Sequence, residues 1–402
     1  LPFRVLIVSW EYPPIVEGGL ARAVRKLSEA LVADTAAEVH VLTRAGDRGP
    51  LDEVRHGVHV HRVREPRPPA DLEEFVQWVG HMNGDLLDRG RQLVEEHAFD
   101  LVHGHDWLVA VAAKRLADHA GCPLVATVHA TEHGRHQGWV HKPPQSDIHR
   151  AERWMVRTAD QVLVCSHYMR GHVADVFGLD EARITVTPNG IDPDDLQPMH
   201  DLDALRARFA APHETLVLLV GRLVYEKGFQ HALEALAGPQ GVIARVGGVR
   251  FLVAGSGSHE WELKDQARRL GLMDHGTFMG WIGDDVLHSL YRIADLTVVP
   301  SIYEPFGLVA LEAMASGCPC IVADTGGLRE VVPNERVGLR FTARDPRSLG
   351  RMMERVLTDD ALRERLVAQA SEHVLGFDWS DVARQTRRAY AALPGRGAPV
   401  AR

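Results

Sequence analysis

Short runs of β-branched and aliphatic residues alternate along this chain with segments of helical periodicity, and they do so in two series. The first series is Arg4–Ser9, Glu38–Thr43, Val58–Val63, Leu101–Gly104, Leu124–His129, Gln161–Ser166 and Arg183–Pro188. The second is Leu216–Gly221, Arg250–Gly255, Thr277–Trp281, Leu296–Pro300, Pro319–Ala323 and Gly338–Thr342. Helical stretches such as Leu20–Ala33, Leu86–Glu96, Leu205–Phe209 and Glu262–Leu270 fall between them. Strands that alternate with helices imply parallel sheets covered on both faces. Two series imply an α/β protein with two doubly wound, Rossmann-like domains. Such sheets bind ligands outside the carboxyl ends of their strands, so residues that directly follow a strand are the ones to examine for chemistry.

The turn-rich Pro188-Asn-Gly-Ile-Asp-Pro-Asp-Asp195 separates the two series. Residues 1–189 and 190–377 are the expected domains. Phe377-Asp-Trp-Ser-Asp381 precedes a last amphipathic helix, taken as 378–402. A chain of 402 residues exceeds what one core usually serves. The polar stretches 44–56 and 64–73 read as loops, and the segment after Leu393 as a frayed tail. A net charge of −9 argues against coating nucleic acid or anionic membrane. No run of 18 apolar residues is present, so no transmembrane segment is expected. Leu1–Ser9 reads as a first strand and not as a signal peptide. Cys122, Cys165, Cys318 and Cys320 lie in or beside apolar runs and read as reduced core thiols of a cytoplasmic protein.

The chemistry concentrates in Ser301-Ile-Tyr-Glu304-Pro-Phe-Gly307-Leu-Val-Ala-Leu-Glu312. A strand ends at Pro300 and a helix, expected over Leu308–Ser316, begins at Gly307. The backbone N–H groups of Phe306, Gly307 and Leu308 can therefore point at an anion. Glu304 precedes this cradle and Glu312 lies inside the helix. Carboxylates on either side of a phosphate cradle suit a molecule with hydroxyls on both sides of its phosphates, as in a nucleotide sugar. Arg222 and Lys227 follow the strand Leu216–Gly221 inside Gly221-Arg-Leu-Val-Tyr-Glu-Lys-Gly228, which suits a cationic clamp on a departing diphosphate. Gly18-Gly19 ends a Pro-rich loop and opens a helix, where backbone can approach a ligand closely. His129 closes one strand, and Asp106 and Trp107 follow another.

The spacing Glu304-x7-Glu312 resembles the E-x7-E motif of retaining GT-B glycosyltransferases (glycosyltransferase family 4). The Gly221–Gly228 segment, Thr325-Gly-Gly-Leu328 and Glu11-Tyr-Pro-Pro-Ile-Val-Glu-Gly-Gly-Leu20 extend the resemblance over most of the chain. It implies two Rossmann-like domains facing across a cleft, with the last helix returning to the first domain. It implies a nucleotide-sugar co-substrate and no metal. It also implies a diphosphate clamp of Arg222 and Lys227, with Glu304 at the donor-sugar hydroxyls and Glu312 at the ribose. His129 would lie beside the transferred sugar.

Gly104-His-Asp-Trp107 and His129-Ala-Thr-Glu-His-Gly-Arg-His-Gln-Gly-Trp139 resemble acceptor-side segments of actinobacterial glycogen-synthase-like α-glucan glucosyltransferases. This makes Asp106, Trp107, Glu132 and Arg135 acceptor candidates. The implied enzyme is a hexosyltransferase that moves glucose from UDP-, ADP- or GDP-glucose to an oligosaccharide, glucan or phosphosugar, forming an α-1,4 bond. Long bacterial glycogen synthases carry Lys in a Lys-x-Gly-Gly-Leu loop, where this chain has Val16 followed by Glu17. The base of the donor and the acceptor therefore stay open, with a lipid or natural-product acceptor among the alternatives, with an epimerase on the same fold as a rival and a zinc hydrolase as a remote one.

Two other motifs are set aside. His129-Ala-Thr-Glu-His133 fits the H-x-x-E-H pattern of zinc hydrolases, but His129 ends a strand and Gly134 is expected to stop any helix. Asp192-Pro-Asp194 sits in the turn-rich linker and reads as a turn rather than a metal–diphosphate motif.

Overall fold

The computed structural model describes residues 2–46, 50–65, 67, 69, 71–199 and 201–393. The chain forms two compact units: Leu1–Gly190 with Trp379–Arg402, and Ile191–Asp378. The expected tail lies outside the described residues.

The first unit carries the strands β1 (Arg4–Ser9), β2 (Glu38–Ala45), β3 (Asp52–Arg55), β4 (Val58–Arg64), β5 (Leu101–His105), β6 (Leu124–Val128), β7 (Gln161–Val164) and β8 (Ile184–Val186). They form one sheet in the order β3-β4-β2-β1-β5-β6-β7-β8. All pairs are parallel except β3–β4. The central strands read as apolar runs because both of their faces are covered: every residue of β5 and β6 is buried. The helix Trp379–Ala391 completes this core, with Val382, Ala383 and Tyr390 packed among Val5, Ile7, Val24 and Val39.

The second unit carries β9 (Thr215–Val220), β10 (Val249–Ala254), β11 (Gly276–Gly280), β12 (Leu296–Val299), β13 (Cys320–Ala323) and β14 (Leu339–Phe341). Its order is β11-β10-β9-β12-β13-β14, and it is parallel throughout. Each sheet thus has a switch point where strand order reverses, between β1 and β5 in the first and between β9 and β12 in the second. The crevice outside the carboxyl ends at such a point is where doubly wound sheets take ligands.

Several expectations need correction. The presumed loop 44–56 contains the end of β2 and the whole of β3, which is joined to β4 by His56-Gly57 with φ +48° and +79°. Paired positive φ values make the two-residue hairpin turn that matches strand twist. β3 is a charged edge strand, Asp-Glu-Val-Arg, with no apolar face to betray it. The presumed loop 64–73 contains the end of β4 and the start of the helix Leu72–Glu96, which is capped by Asp71 accepting from the Glu74 N–H at 2.8 Å. Gly134 does not stop a helix: it lies within the short helix Glu132–Arg135, where its N–H donates to Thr131 Oγ1 at 3.0 Å. Of the cysteines, Cys122 is half-exposed and the other three are buried; all four are free thiols.

Candidate active site

In the second unit, β9 ends at Val220 and leads into Gly221-Arg222. The short turn Tyr225–Lys227 then closes at Gly228, whose φ is +71°. A Cβ on Gly228 would stand 2.0 Å from the Pro300 carbonyl oxygen. Only glycine lets this loop lie against the end of β12. The Glu226 carbonyl accepts the Ile302 N–H at 2.8 Å and so fixes the two loops together. Lys227 Nζ consequently reaches Glu304 Oε2 at 2.7 Å, and Ser301 Oγ donates to the same oxygen at 2.9 Å. Arg222 is exposed at the carboxyl end of β9.

The Glu304 loop is held from its other side as well. The Gly327 N–H donates to the Glu304 carbonyl at 2.9 Å, and Thr325 Oγ1 donates to the Ile302 carbonyl at 3.2 Å. A Cβ on Gly327 would meet the Pro305 carbonyl oxygen at 2.3 Å. The Thr325-Gly-Gly-Leu segment therefore exists to pack against the Glu304 loop backbone to backbone. Phe306 is buried against Phe377, with ring centroids 6.1 Å apart. Gly307, at φ +120°, turns the chain into the helix Leu308–Ala315. The first N–H groups of that helix have no intrahelical acceptor. Glu312 is buried within it and accepts from the Tyr291 hydroxyl at 2.9 Å.

In the first unit, β1 ends at Ser9 and leads into Trp10-Glu11. Glu11 is buried, and burial raises its carboxyl above the ordinary range, opposed by hydrogen bonds. Its Oε2 accepts the N–H of Glu17 at 2.9 Å and of Gly18 at 3.2 Å. The Gly18 N–H, expected to face a ligand, is thus engaged by Glu11. Gly19 begins the helix Gly19–Thr35. Glu17 is ion-paired with Arg44, whose Nε donates to the Trp10 carbonyl at 2.9 Å.

Beside β1, β5 ends at His105 and passes into Asp106, a non-glycine residue at φ +61°. Left-handed backbone is uncommon for such a residue and clusters at functional sites. It is held here from two sides. The Asp106 N–H donates to the Thr127 carbonyl at 2.9 Å, and Asp106 Oδ1 accepts the His129 N–H at 2.8 Å. His129 Nε2 is hydrogen-bonded to His105 Nδ1 at 2.9 Å. His105 rests on His103 with centroids 4.2 Å apart, and His103 is hydrogen-bonded to Tyr390 and Thr127 at 2.7 and 2.6 Å. Burial lowers all three imidazoles, His103 to about 3, His105 well below and His129 below its ordinary value, the last opposed by Asp106. These rings are neutral near pH 7.

Trp107 is half-buried and meets Phe75 edge-on at 6.4 Å, whereas Trp139 is 76% exposed. Neither is a core residue. Glu132 is buried, with its N–H donating to Glu152 Oε1 at 2.7 Å, and Arg135 is half-buried. Burial pushes the Glu152 carboxyl up to about 8, with the charges of Glu132 and Asp106 acting in the same direction. His129 precedes the helix that holds His133, so the two do not share a helix face as the zinc-hydrolase pattern requires. Asp192 Oδ1 accepts the Asp194 N–H at 3.1 Å in a turn.

Sequence reasoning gave no role to Glu11, His105, Glu152, Tyr291 or Ser301. Glu152 carried a signal: it lies on the apolar stripe of the helix Gln145–Thr158 with Ile148, Met155 and Val156. His105 shares a strand face with His103. Ser301 opens the Glu304 motif without a role of its own, and nothing in the sequence marks Tyr291.

Residues 17–195 match the Glycosyltransferase Family 4 profile, and residues 203–373 match Glycosyl transferases group 1. A glycogen synthase of Mycobacterium tuberculosis is 38% identical over 97% of this chain and 94% of its own length. The chain belongs to glycosyltransferase family 4. It is a retaining hexosyltransferase of the GT-B fold. A D-inositol 3-phosphate glycosyltransferase of Frankia alni is 33% identical over 93% of this chain and 94% of its own. Among solved structures, sucrose-phosphate synthase from Thermosynechococcus elongatus superposes with a TM-score of 0.82 at 24% identity, covering 97% of this chain and 98% of that one. Family members thus share the fold while using different acceptors. Among the described residues, no helix is long and apolar enough to cross a membrane.

Proposed function

We propose that this enzyme transfers glucose from a nucleotide-glucose donor to an α-glucan or malto-oligosaccharide, forming an α-1,4 bond with retention. The observation that carries the acceptor assignment is the 38% identity to a glycogen synthase along nearly the whole of both chains. An exposed Trp139 on the acceptor-side segment supports it, since an indole face stacks on the apolar face of a sugar ring. Asp106, Trp107, Glu132 and Arg135 are the neighbouring acceptor candidates.

In this reading the nucleotide-sugar half of the site belongs to Ile191–Asp378. Bond cleavage places charge on the leaving diphosphate, and Arg222, Lys227 and the N–H groups at Phe306, Gly307 and Leu308 stabilise it. Lys227 starts on Glu304 and transfers part of its interaction to the diphosphate, which leaves Glu304 to accept from donor-sugar hydroxyls. Glu312 receives the ribose hydroxyls while Tyr291 fixes one of its oxygens. The cations and helix start supply the positive potential, so no metal enters the reaction. Gly18, Gly19 and His129 are the first unit's candidates for contact with the donor sugar. The inositol phosphate relative makes a phosphosugar acceptor the second reading.

Purified enzyme incubated with UDP-, ADP- or GDP-glucose separates these readings. Maltose or a short glucan should stimulate nucleotide release far more than glucose 1-phosphate or inositol phosphate, and an α-1,4-specific amylase should digest the product. A product that resists the amylase, or preference for the phosphorylated acceptors, defeats the glucan reading. Free nucleoside diphosphate should bind Glu312→Ala more weakly than Glu304→Ala; equal losses defeat the division of roles.

A further inference from the structure

A second cluster of ligating side chains lies at the amino-terminal edge of the eight-stranded sheet, where β2 and β4 begin. The register pairs His40 with His59 and Leu42 with His61, so these side chains share one sheet face with Glu38. His97, at the end of the helix Leu72–Glu96, comes onto the same face, its ring centroid 4.6 Å from that of His40. One ligand atom from each of Glu38, His40 and His97 lies within 4.8 Å of the others. It is the sole such three-residue group among the described residues. His40 itself is 1% exposed.

With both His61 and His40 as neutral rings, the contacts assign the lone pairs as follows. Asp52 Oδ1 stands 2.7 Å from His61 Nδ1 and also takes Arg89 at 2.8 Å. A carboxylate only accepts, so His61 Nδ1 carries the proton and His61 Nε2 is the acceptor. His61 Nε2 is 3.1 Å from His40 Nδ1, which must then be the donor. The second nitrogen of a neutral His40, Nε2, is left with a lone pair, and it faces Glu38 Oε1 at 3.2 Å. The other Glu38 oxygen, Oε2, is held by Arg4 Nε at 2.8 Å. Two lone pairs thus face each other beside a third ligating group, an arrangement completed by a cation.

We propose that Glu38 Oε1, His40 Nε2 and a ring nitrogen of His97 bind a divalent cation of the zinc class. Two imidazoles and one carboxylate suit zinc, whereas magnesium and calcium prefer oxygen-only sets. The outer contacts are those that metal-bound histidines require: His40 gives its other N–H to His61, which Asp52 orients. Zinc–ligand distances of about 2.0–2.2 Å require the three groups to draw together by roughly 1 Å. The bound ion would tie β2 to the end of the helix Leu72–Glu96. It would sit at the opposite strand ends from Asp106 and His129, and so serve stability rather than transfer.

Untagged full-length enzyme, stripped with a chelator, should bind one Zn2+ per chain by isothermal titration calorimetry and ignore equimolar Mg2+. His97→Ala and Glu38→Gln should each weaken the site at least tenfold. His61→Ala should weaken it by about 10- to 100-fold through the outer contact. Zn2+ should raise the melting temperature of the wild type, and the gain should vanish in His97→Ala, whose metal-free melt reports that it is folded. Should His97→Ala not fold, Glu38→Gln decides, because its carboxamide keeps the shape and loses the charge. Absence of stoichiometric Zn2+ binding, or undiminished affinity in the variant that folds, overturns the proposal.

Discussion

The two units place their candidate residues at the same topological position, outside the strand ends at a switch point, yet build them from different materials. In Ile191–Asp378 the side chains are few and charged, and the precision comes from backbone: Gly228 against Pro300, and Gly327 against Pro305. In Leu1–Gly190 the backbone is less constrained by glycine, and the precision comes from titratable side chains that bond to one another. His105 holds His129, Asp106 holds the His129 N–H, and Glu152 holds the Glu132 N–H. Fixed charge suits a ligand whose charge does not change in kind, such as a diphosphate. Buried neutral imidazoles suit a partner recognised by hydroxyl groups. The first unit should accordingly respond to pH, and the second to loss of a charge or gain of a methyl group.

The strongest way to break this contrast is Lys227→Ala. Turnover should fall by about 100- to 1000-fold, because the cation acts as charge builds on the leaving group. The circular dichroism spectrum and melt should stay close to wild type, and near-normal turnover would remove the clamp. Next comes Gly228→Ala. Its Cβ would enter the Pro300 carbonyl, and alanine disfavours the φ of +71°. A loss on the order of 2–3 kcal/mol in chemical denaturation is expected; a loss under about 0.5 kcal/mol would show that the loop carries no such constraint.

The Glu152 carboxyl sharpens the other side of the comparison. Its folded value of about 8 exceeds the 4.5 of a free carboxyl. Between those values the unfolded chain has released a proton that the folded chain retains, so stability falls as pH rises. The slope is at most roughly 1.4 kcal/mol per pH unit from this group. Glu152→Gln should be less sensitive between pH 4.5 and 8, and denaturation midpoints across that window read it directly. An unchanged slope would place the pH response elsewhere. The smallest effect is expected from chelation: EDTA should leave turnover unchanged within about twofold, since the positive potential is covalently attached. Loss of turnover that added metal restores would contradict that account.

The strands were legible because β-branched runs in a doubly wound sheet stay apolar on both faces, from Arg4–Ser9 to the Leu339–Phe341 strand. β3 was not, because a charged edge strand looks like a loop. The helix Glu132–Arg135 was not, because Thr131 supplies a cap that offsets the cost of Gly134. Within the candidate site, positions were readable where a motif sits just beyond a strand, as at Glu304 and Lys227. The contact between those two was not, since it depends on Glu226 fixing Ile302, a residue far along the chain. Nor was Glu11 as the partner of Gly18, because a buried acid gives no local periodic signal.

The return of Trp379–Ala391 to the first unit bears on how the chain is born. A ribosome releases Arg4 before Ile191, yet the earlier-made unit lacks Val382, Ala383 and Tyr390 until the whole of Ile191–Asp378 has been made. The later-made unit is contiguous from Ile191 to Asp378, so all of its core has emerged first. Domains usually finish in the order of synthesis; here the order is inverted. A chain cut after Asp378 would hold a complete Ile191–Asp378 unit and an open, chaperone-accessible predecessor, with His103 awaiting its tyrosine.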